Sequence, residues 1–312
     1  MIINTEEEPL SAAVKDGHLL YIDSKGLLKI VELKVGATRD AFKVVPEETE
    51  IDLGKEIIAL GADKDGVVML TKDSSMWYGS IEDLKKGNVA FKSVKGNENI
   101  EFPFSPYTEP MASVIIPFEY GGKKLFFLKG VWRKYFEIID ESGKRLWKAC
   151  CGNVLGPSYW PKPGLIYTYL DTAFIARMKE IVEERFCNDN TPISCSERLN
   201  VKDFDFLWAS PSVVAKMSAS GSEVEVTLLN KEEKISFDLS PLGDARGMTY
   251  HGFACSENVT LLLTDTGMIL ISRSSPQTFS FDRAEGMKVA VPSDNSFIVF
   301  LRKRSLLGIY SS

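Results

Sequence analysis

Apolar runs come in pairs along this chain, each pair broken by a short polar turn. In Glu257–Ser272 (ENVTLLLTDTGMILIS), the run Val259–Leu263 ends at Thr264-Asp265-Thr266-Gly267, and the run Met268–Ile271 follows at once. Aliphatic and β-branched residues on both sides of an Asp/Gly turn predict a β-hairpin. Six other segments align on it: His18–Leu33, Gly66–Ile81, Lys124–Ile139, Leu165–Met178, Ser212–Leu229 and Ser296–Ser311. Their starts are spaced by roughly 40 to 60 residues, the period of propeller blades.

A propeller blade has four antiparallel strands, so each hairpin needs a strand on either side. Upstream strands are expected at Glu56–Ala62, Ala112–Phe118, Asp203–Ala209, Met248–Ser256 and Lys288–Pro292. Downstream strands are expected at Phe42–Val45, Asn88–Val94, Arg145–Cys150, Lys234–Leu239 and Thr278–Phe281. The last unit lacks a fourth strand, and Met1–Asn4 is expected to supply it. That pairing removes the exposed edges an open sheet must otherwise protect.

The pattern degrades around 149–200. Pro157, Pro161 and Pro163 with Trp160 read as a loop. Asp171–Phe186 puts Ile175, Met178, Val182 and Phe186 on one helical face, with Asp171 or Thr172 as the N-cap. A strand running into a helix is therefore favoured over a hairpin at Leu165–Met178. Cys187–Asn200 reads as a long polar loop, a place where binding residues concentrate. The fold class is all-β: a seven-bladed β-propeller with a helical/loop insertion in the middle of the chain. Residues 1–312 form a single domain.

Composition narrows the function. A formal net charge of -6 argues against a dedicated nucleic-acid binder. No apolar run approaches the ~20 residues of a membrane helix, and the acidic start MIINTEEEPL does not resemble a secretory signal. Five cysteines with no CxxC favour free thiols in a reducing compartment, with Cys187–Cys195 pairing the alternative in an oxidising one. The expected setting is intracellular, cytoplasmic or nuclear.

The stretch Ile57–Gly79 (IIALGADKDGVVMLTKDSSMWYG) resembles the repeat of the regulator-of-chromosome-condensation propellers, and His251–Ala254 with Leu263–Gly267 follows the same outline. The His before the second strand, the Gly-Gln-Leu-Gly tail and the Trp-Gly ending depart from that repeat, so WD-repeat propellers stay open. The resemblance implies a scaffold; some members of that family are exchange factors for small GTPases.

Motifs that carry chemistry are absent. There is no G-x-S-x-G elbow, no phosphate-binding glycine loop and no D-x-D-x-D-G calcium loop. His18 and His251 read as ordinary hydrogen-bonded histidines. No catalytic residue, metal ligand or cofactor is assigned. The expected function is a non-enzymatic protein-interaction scaffold or assembly subunit. A GTPase exchange factor and a hydrolase with a central-channel site are the alternatives. Aromatics with basic neighbours are typical anchors for a protein partner. They place the candidate partner-binding residues at Trp132 and Arg133, Tyr159 and Trp160, and Arg198 in the polar loop.

Overall fold

The computed structural model describes residues 2–5, 7, 9–33, 48–94, 113–130, 135–150, 153–160, 162–169, 172–178, 197–201, 205–240, 249–257, 259–264, 267–272, 275–280, 288–293, 296–301 and 306–311. Strand β1 is Ile2–Asn4. The first sheet is β2 (Ser11–Lys15), β3 (His18–Ile22), β4 (Leu28–Glu32) and β5 (Glu48–Ile51). Then come β6 (Ile57–Ala62), β7 (Val67–Thr71), β8 (Ser75–Gly79), helix α1 (Ile81–Lys85) and β9 (Lys92–Ser93). These are followed by β10 (Ser113–Tyr120), β11 (Lys123–Gly130), β12 (Tyr135–Asp140) and β13 (Arg145–Cys150). The next sheet holds β14 (Asn153–Ser158), β15 (Gly164–Tyr169), β16 (Thr172–Arg177) and β17 (Glu197–Leu199). After it come β18 (Phe206–Ala209), β19 (Val214–Ser220), β20 (Glu223–Leu228) and β21 (Glu233–Asp238). The chain continues through β22 (Tyr250–Cys255), β23 (Val259–Thr264), β24 (Gly267–Ser272) and β25 (Ser275–Ser280). It ends in β26 (Lys288–Ser293), β27 (Ser296–Leu301) and β28 (Leu306–Ser311).

Each group of four consecutive strands is an antiparallel meander, and β6–β9 and β10–β13 join through a two-residue parallel contact, Ser113 opposite Ala59 and Val114 opposite Leu60. The first strands of the groups stand beside one another in a closed circle: β2 next to β6, then β10, β14, β18, β22 and β26, and β26 back to β2. This is the arrangement of a β-propeller, with sheets radiating from a central axis.

Local chemistry explains the hairpins. At the β3–β4 turn the buried Asp23 carboxylate accepts from the N–H groups of Lys25 and Leu27, both at 2.9 Å, and the Asp23 carbonyl accepts from Gly26 N–H. An aspartate folded back on its own turn is an Asx-turn. At the β10–β11 turn Gly121 and Gly122 adopt φ of 56° and 74°, a left-handed pair that favours glycine.

Most strands alternate between two interfaces. On β11, Phe126 faces a cluster shared with β6–β8, while Phe127 faces one shared with β15 and β16; both rings are fully buried. Similar clusters join β2–β4 to β6–β8, β14–β17 to β18–β19, and β18–β20 to β22–β24. Ile298 of β27 packs with Ala12, Leu19 and Tyr21 of the first sheet.

The expected closure is present: Ile2, Ile3 and Asn4 pair antiparallel with Gly308, Leu307 and Leu306. Side chains stitch the neighbouring first strands as well. Ser293 Oγ accepts from Val14 N–H at 2.8 Å, and Ser11 Oγ accepts from Leu60 N–H at 2.9 Å.

Three expectations between 149 and 200 are corrected; one is the long polar loop Cys187–Asn200, whose Glu197–Leu199 form strand β17, laddered to β16. Thr172–Arg177 is strand β16 and not the start of a helix, so Leu165–Met178 forms a hairpin like the others. Thr172 opens a strand and caps nothing. The helical spacing within Thr172–Arg177 is incidental, because both faces of β16 are buried; Met178, just past the strand, is helical. Ala173 and Ile175 pack toward β18–β19, and Phe174 and Ala176 pack toward β10–β12. A strand buried on both faces loses the period-2 signature that marks a one-sided strand. Pro157 lies in β14, opposite Leu165, and not in a loop. As the first strand of its sheet, β14 has only one ladder partner, so a missing N–H can be accommodated. Residues 179–196, with Cys187 and Cys195, lie outside the described residues. So does Phe42–Val45; the outer strand there is β5. Within the expected strand Asn88–Val94 only Lys92–Ser93 pair. Ahead of it, α1 went unanticipated although Ser80 caps it, its Oγ accepting from Asp83 N–H at 3.1 Å.

Gly61 of β6 tests the close approach of β6 and β10. A Cβ there would fall 2.0 Å from the Ile115 carbonyl oxygen. Gly61→Ala is expected to destabilise the chain by about 3 kcal/mol, measured by chemical denaturation.

Candidate functional site

On the face carrying the first-to-second-strand turns, the mouth of the ring opens into a recess of about 530 Å³. Five sheets contribute. Asp63 and Lys64 come from the β6–β7 turn, Phe118 to Gly122 and Lys124 from the β10–β11 hairpin, and Tyr159 and Pro163 from the β14–β15 loop. Pro211 and Ser212 come from the β18–β19 loop, and Pro292 and Ser293 from the end of β26. A second recess of about 450 Å³ adjoins it, lined by Trp160, Asn230, Lys231 and Glu232. Tyr159, Pro211 and Ser212 line both.

The charges at the mouth are compensated locally. Lys124 Nζ, only 9% exposed, bonds the Asp63 carboxylate at 2.5 Å and the Asp65 carboxylate at 2.8 Å, with Glu119 at 3.6 Å. Tyr78 Oη donates to Asp63 Oδ1 at 2.9 Å, and the N–H groups of Asp65 and Gly66 donate to the same oxygen. Burial works against the Lys124 charge, yet hydrogen bonds to Asp63 and Asp65 outweigh it and hold the ammonium above the ordinary lysine range. The Lys124 hydrogen bond holds the Asp65 carboxyl below its usual range. Burial, then the Asp63 charge, pushes the Tyr78 phenol up. This cluster clamps the β6–β7 turn to β11. Lys15 reinforces the rim, its Nζ donating to Asp16 at 2.7 Å and to the Lys64 carbonyl at 2.9 Å.

Tyr159 is the exposed large hydrophobic residue among those described, at 41%. Its hydroxyl oxygen accepts from Glu119 N–H at 2.7 Å, which fixes the ring against β10. Burial raises its phenol pKa, so the hydroxyl keeps its proton at neutral pH. Trp160 is half-buried, packed against the cluster of Ile166, Ala173, Ile175, Leu199, Ala209 and Val214.

The sequence candidates separate. Tyr159 and Trp160 meet at the mouth. Arg198 is exposed on β17, the outermost strand of that sheet, at the opposite edge from β14. Trp132 and Arg133 lie outside the described residues; β11 ends before them at Gly130, the far end from the β10–β11 turn at the mouth. The Asp63–Lys124 clamp was missed because its members lie 61 residues apart and form no local motif. His251 is exposed; His18 Nδ1 donates to the Asp16 carbonyl at 2.8 Å while Nε2 accepts from Lys85. Cys255 is a buried free thiol pushed up by burial to a pKa of about 11. Among the described residues, no group of His, Cys, Asp and Glu could hold a metal ion, and no helix is long and apolar enough to cross a membrane.

No protein-family model and no curated protein matches this chain. Solved structures do. PorZ, a bacterial surface component of the type-IX secretion system of Porphyromonas gingivalis, matches with a TM-score of 0.55 at 11% identity, over 100% of this chain and 39% of that one. The WD40 domain of Neurospora crassa Pan2 matches with a TM-score of 0.53 at 10% identity, over 98% of this chain and 89% of that one. YCF48 bound to the D1 peptide matches with a TM-score of 0.50 at 11% identity, over 100% and 95%. The fold is a β-propeller.

Breaking the clamp is costly because the largely buried Asp63 carboxylate loses its countercharge. Lys124→Met is expected to destabilise the chain by about 3 kcal/mol, with part recovered in the double variant Lys124→Met, Asp63→Asn. The clamp's pH-dependence follows from the raised Lys124 pKa. Its contribution is whole below the unfolded lysine value of roughly 10.4 and is lost as pH rises through the folded value. Thermal melts from pH 7 to 11 are expected to show an alkaline loss that is smaller in Lys124→Met.

Proposed function

We propose that this chain is a seven-bladed propeller, residues 1–312 forming one domain, that acts as a non-enzymatic scaffold and holds a partner protein at the ring mouth. The recess carries the reading. Five sheets build it, its lysine is neutralised by carboxylates, and an exposed tyrosine stands on its rim. Concave, largely apolar sites with a few fixed polar groups are where propellers present ligands. A peptide-bound structure among the similar propellers supports this type of use. The likeness of Ile57–Gly79 to the regulator-of-chromosome-condensation repeat falls on β6–β8 and supports the strand pattern of a blade, not an exchange reaction. The reading keeps the intracellular setting, cytoplasmic or nuclear, inferred from composition.

Position-specific crosslinking in extract of the native cell tests it. A photoreactive residue at Tyr120, on the rim, is expected to capture a discrete partner, while one at Phe237, on the outer strand β21, captures none. An uncrosslinked monomer at both positions, at every salt concentration tried, would sink the proposal.

A further inference from the structure

Resting on that reading, we infer that the paired recesses take a proline-rich segment of the partner in polyproline II conformation, seated across Tyr159. The geometry is two adjoining hollows that share an exposed aromatic side chain. Tyr159, Pro211 and Ser212 line both, and the second hollow holds Trp160. A polyproline II helix repeats every three residues and rises about 3.1 Å per residue, so successive turns can seat in neighbouring hollows across a shared aromatic.

Hydrogen-bonding capacity points the same way. A proline-rich strand offers carbonyl acceptors and few N–H donors. Tyr159 Oη accepts from Glu119 N–H, which leaves its own O–H to donate outward. Asn230 Nδ2 donates one hydrogen to the Ser212 carbonyl at 2.9 Å and carries a second. The hollows therefore present donors to a chain made of acceptors.

Charge argues against phosphate-bearing ligands. Lys124 is bound to Asp63 and Asp65, Lys64 lies 3.7 Å from Glu119, and Lys231 lies 2.8 Å from Glu257. Each cation of the two hollows thus has a carboxylate nearby, Lys64 and Lys124 sharing Glu119. A phosphodiester or phosphopeptide needs uncompensated cations, and the exposed Glu232 carboxylate on the second hollow would repel it further; an uncharged peptide meets neither obstacle. The ring and the prolines are also held in place before binding, Tyr159 by its Glu119 bond and the prolines by their own φ. Little side-chain entropy is then lost on association.

The test titrates the blocked peptide acetyl-Ala-Pro-Pro-Leu-Pro-Pro-Leu-Pro-amide into the full chain by calorimetry. Binding in the micromolar to sub-millimolar range is expected, with about a tenfold loss in Tyr159→Ala and a smaller loss in Tyr159→Phe, which keeps the ring and removes the O–H. Trp160→Ala is expected to weaken binding, and thermal melts verify that each variant is folded. A peptide of the same length with every proline replaced by glycine is expected to bind at least tenfold more weakly. No binding at millimolar peptide, equal binding of the glycine peptide, indifference to Tyr159→Ala, or tighter binding of an oligouridine would each overturn the inference. If Tyr120 still captures a partner while the peptide fails, the inference falls and the scaffold function stands; if Tyr120 captures nothing, the scaffold function falls too.

Discussion

Few strands in this molecule are stable by their own sheet. A four-stranded sheet with aliphatic side chains on both faces exposes too much apolar surface to exist alone. Neighbours on both sides supply the missing contacts. Phe126 and Phe127 show this at single-residue scale, since adjacent side chains of one strand complete different interfaces. The requirement propagates around the axis, because a row of such sheets has two unburied ends unless it closes. The β1–β28 pairing and the contact of Ile298 with the first sheet close it. Fold cooperativity and ring closure are thus one constraint.

At the axis that constraint becomes backbone against backbone. Strands β6 and β10 approach so closely that Gly61 has no room for a side chain and two residues pair in parallel. The clamp on Lys124 crosses the same junction at the level of the turns. A rigid rim follows. Polar bonds hold the turns in register, and the aromatic and proline side chains above them form a preorganised surface. The loops at the mouth are thus positioned by a stiff scaffold.

Much of this was legible in the chain. The hairpin at Asp23–Gly26 announces itself because one carboxylate satisfies its own turn, and local chemistry of that kind is written in consecutive residues. Tyr159 and Trp160 were legible as neighbours in a proline-rich loop, and the structure sets both on the recesses at the mouth. Legibility failed where the deciding partner is remote. Thr172–Arg177 has helical spacing by eye, and only sheets on both sides make it a strand. Pro157 reads as a breaker until β14 is known to have one ladder neighbour. The Lys124 cluster joins residues whose proximity no local pattern encodes.

The direction of the last strands has a consequence for how the molecule is tethered. Ser293 at the recess pairs with Ser296, and Ser296 pairs in turn with Ser311. Ile2 lies beside Gly308. Both chain ends therefore leave on the same side as the opening. Any domain, linker or anchor attached at either end would start on that face, from the outer strands of the last sheet and not from the axis.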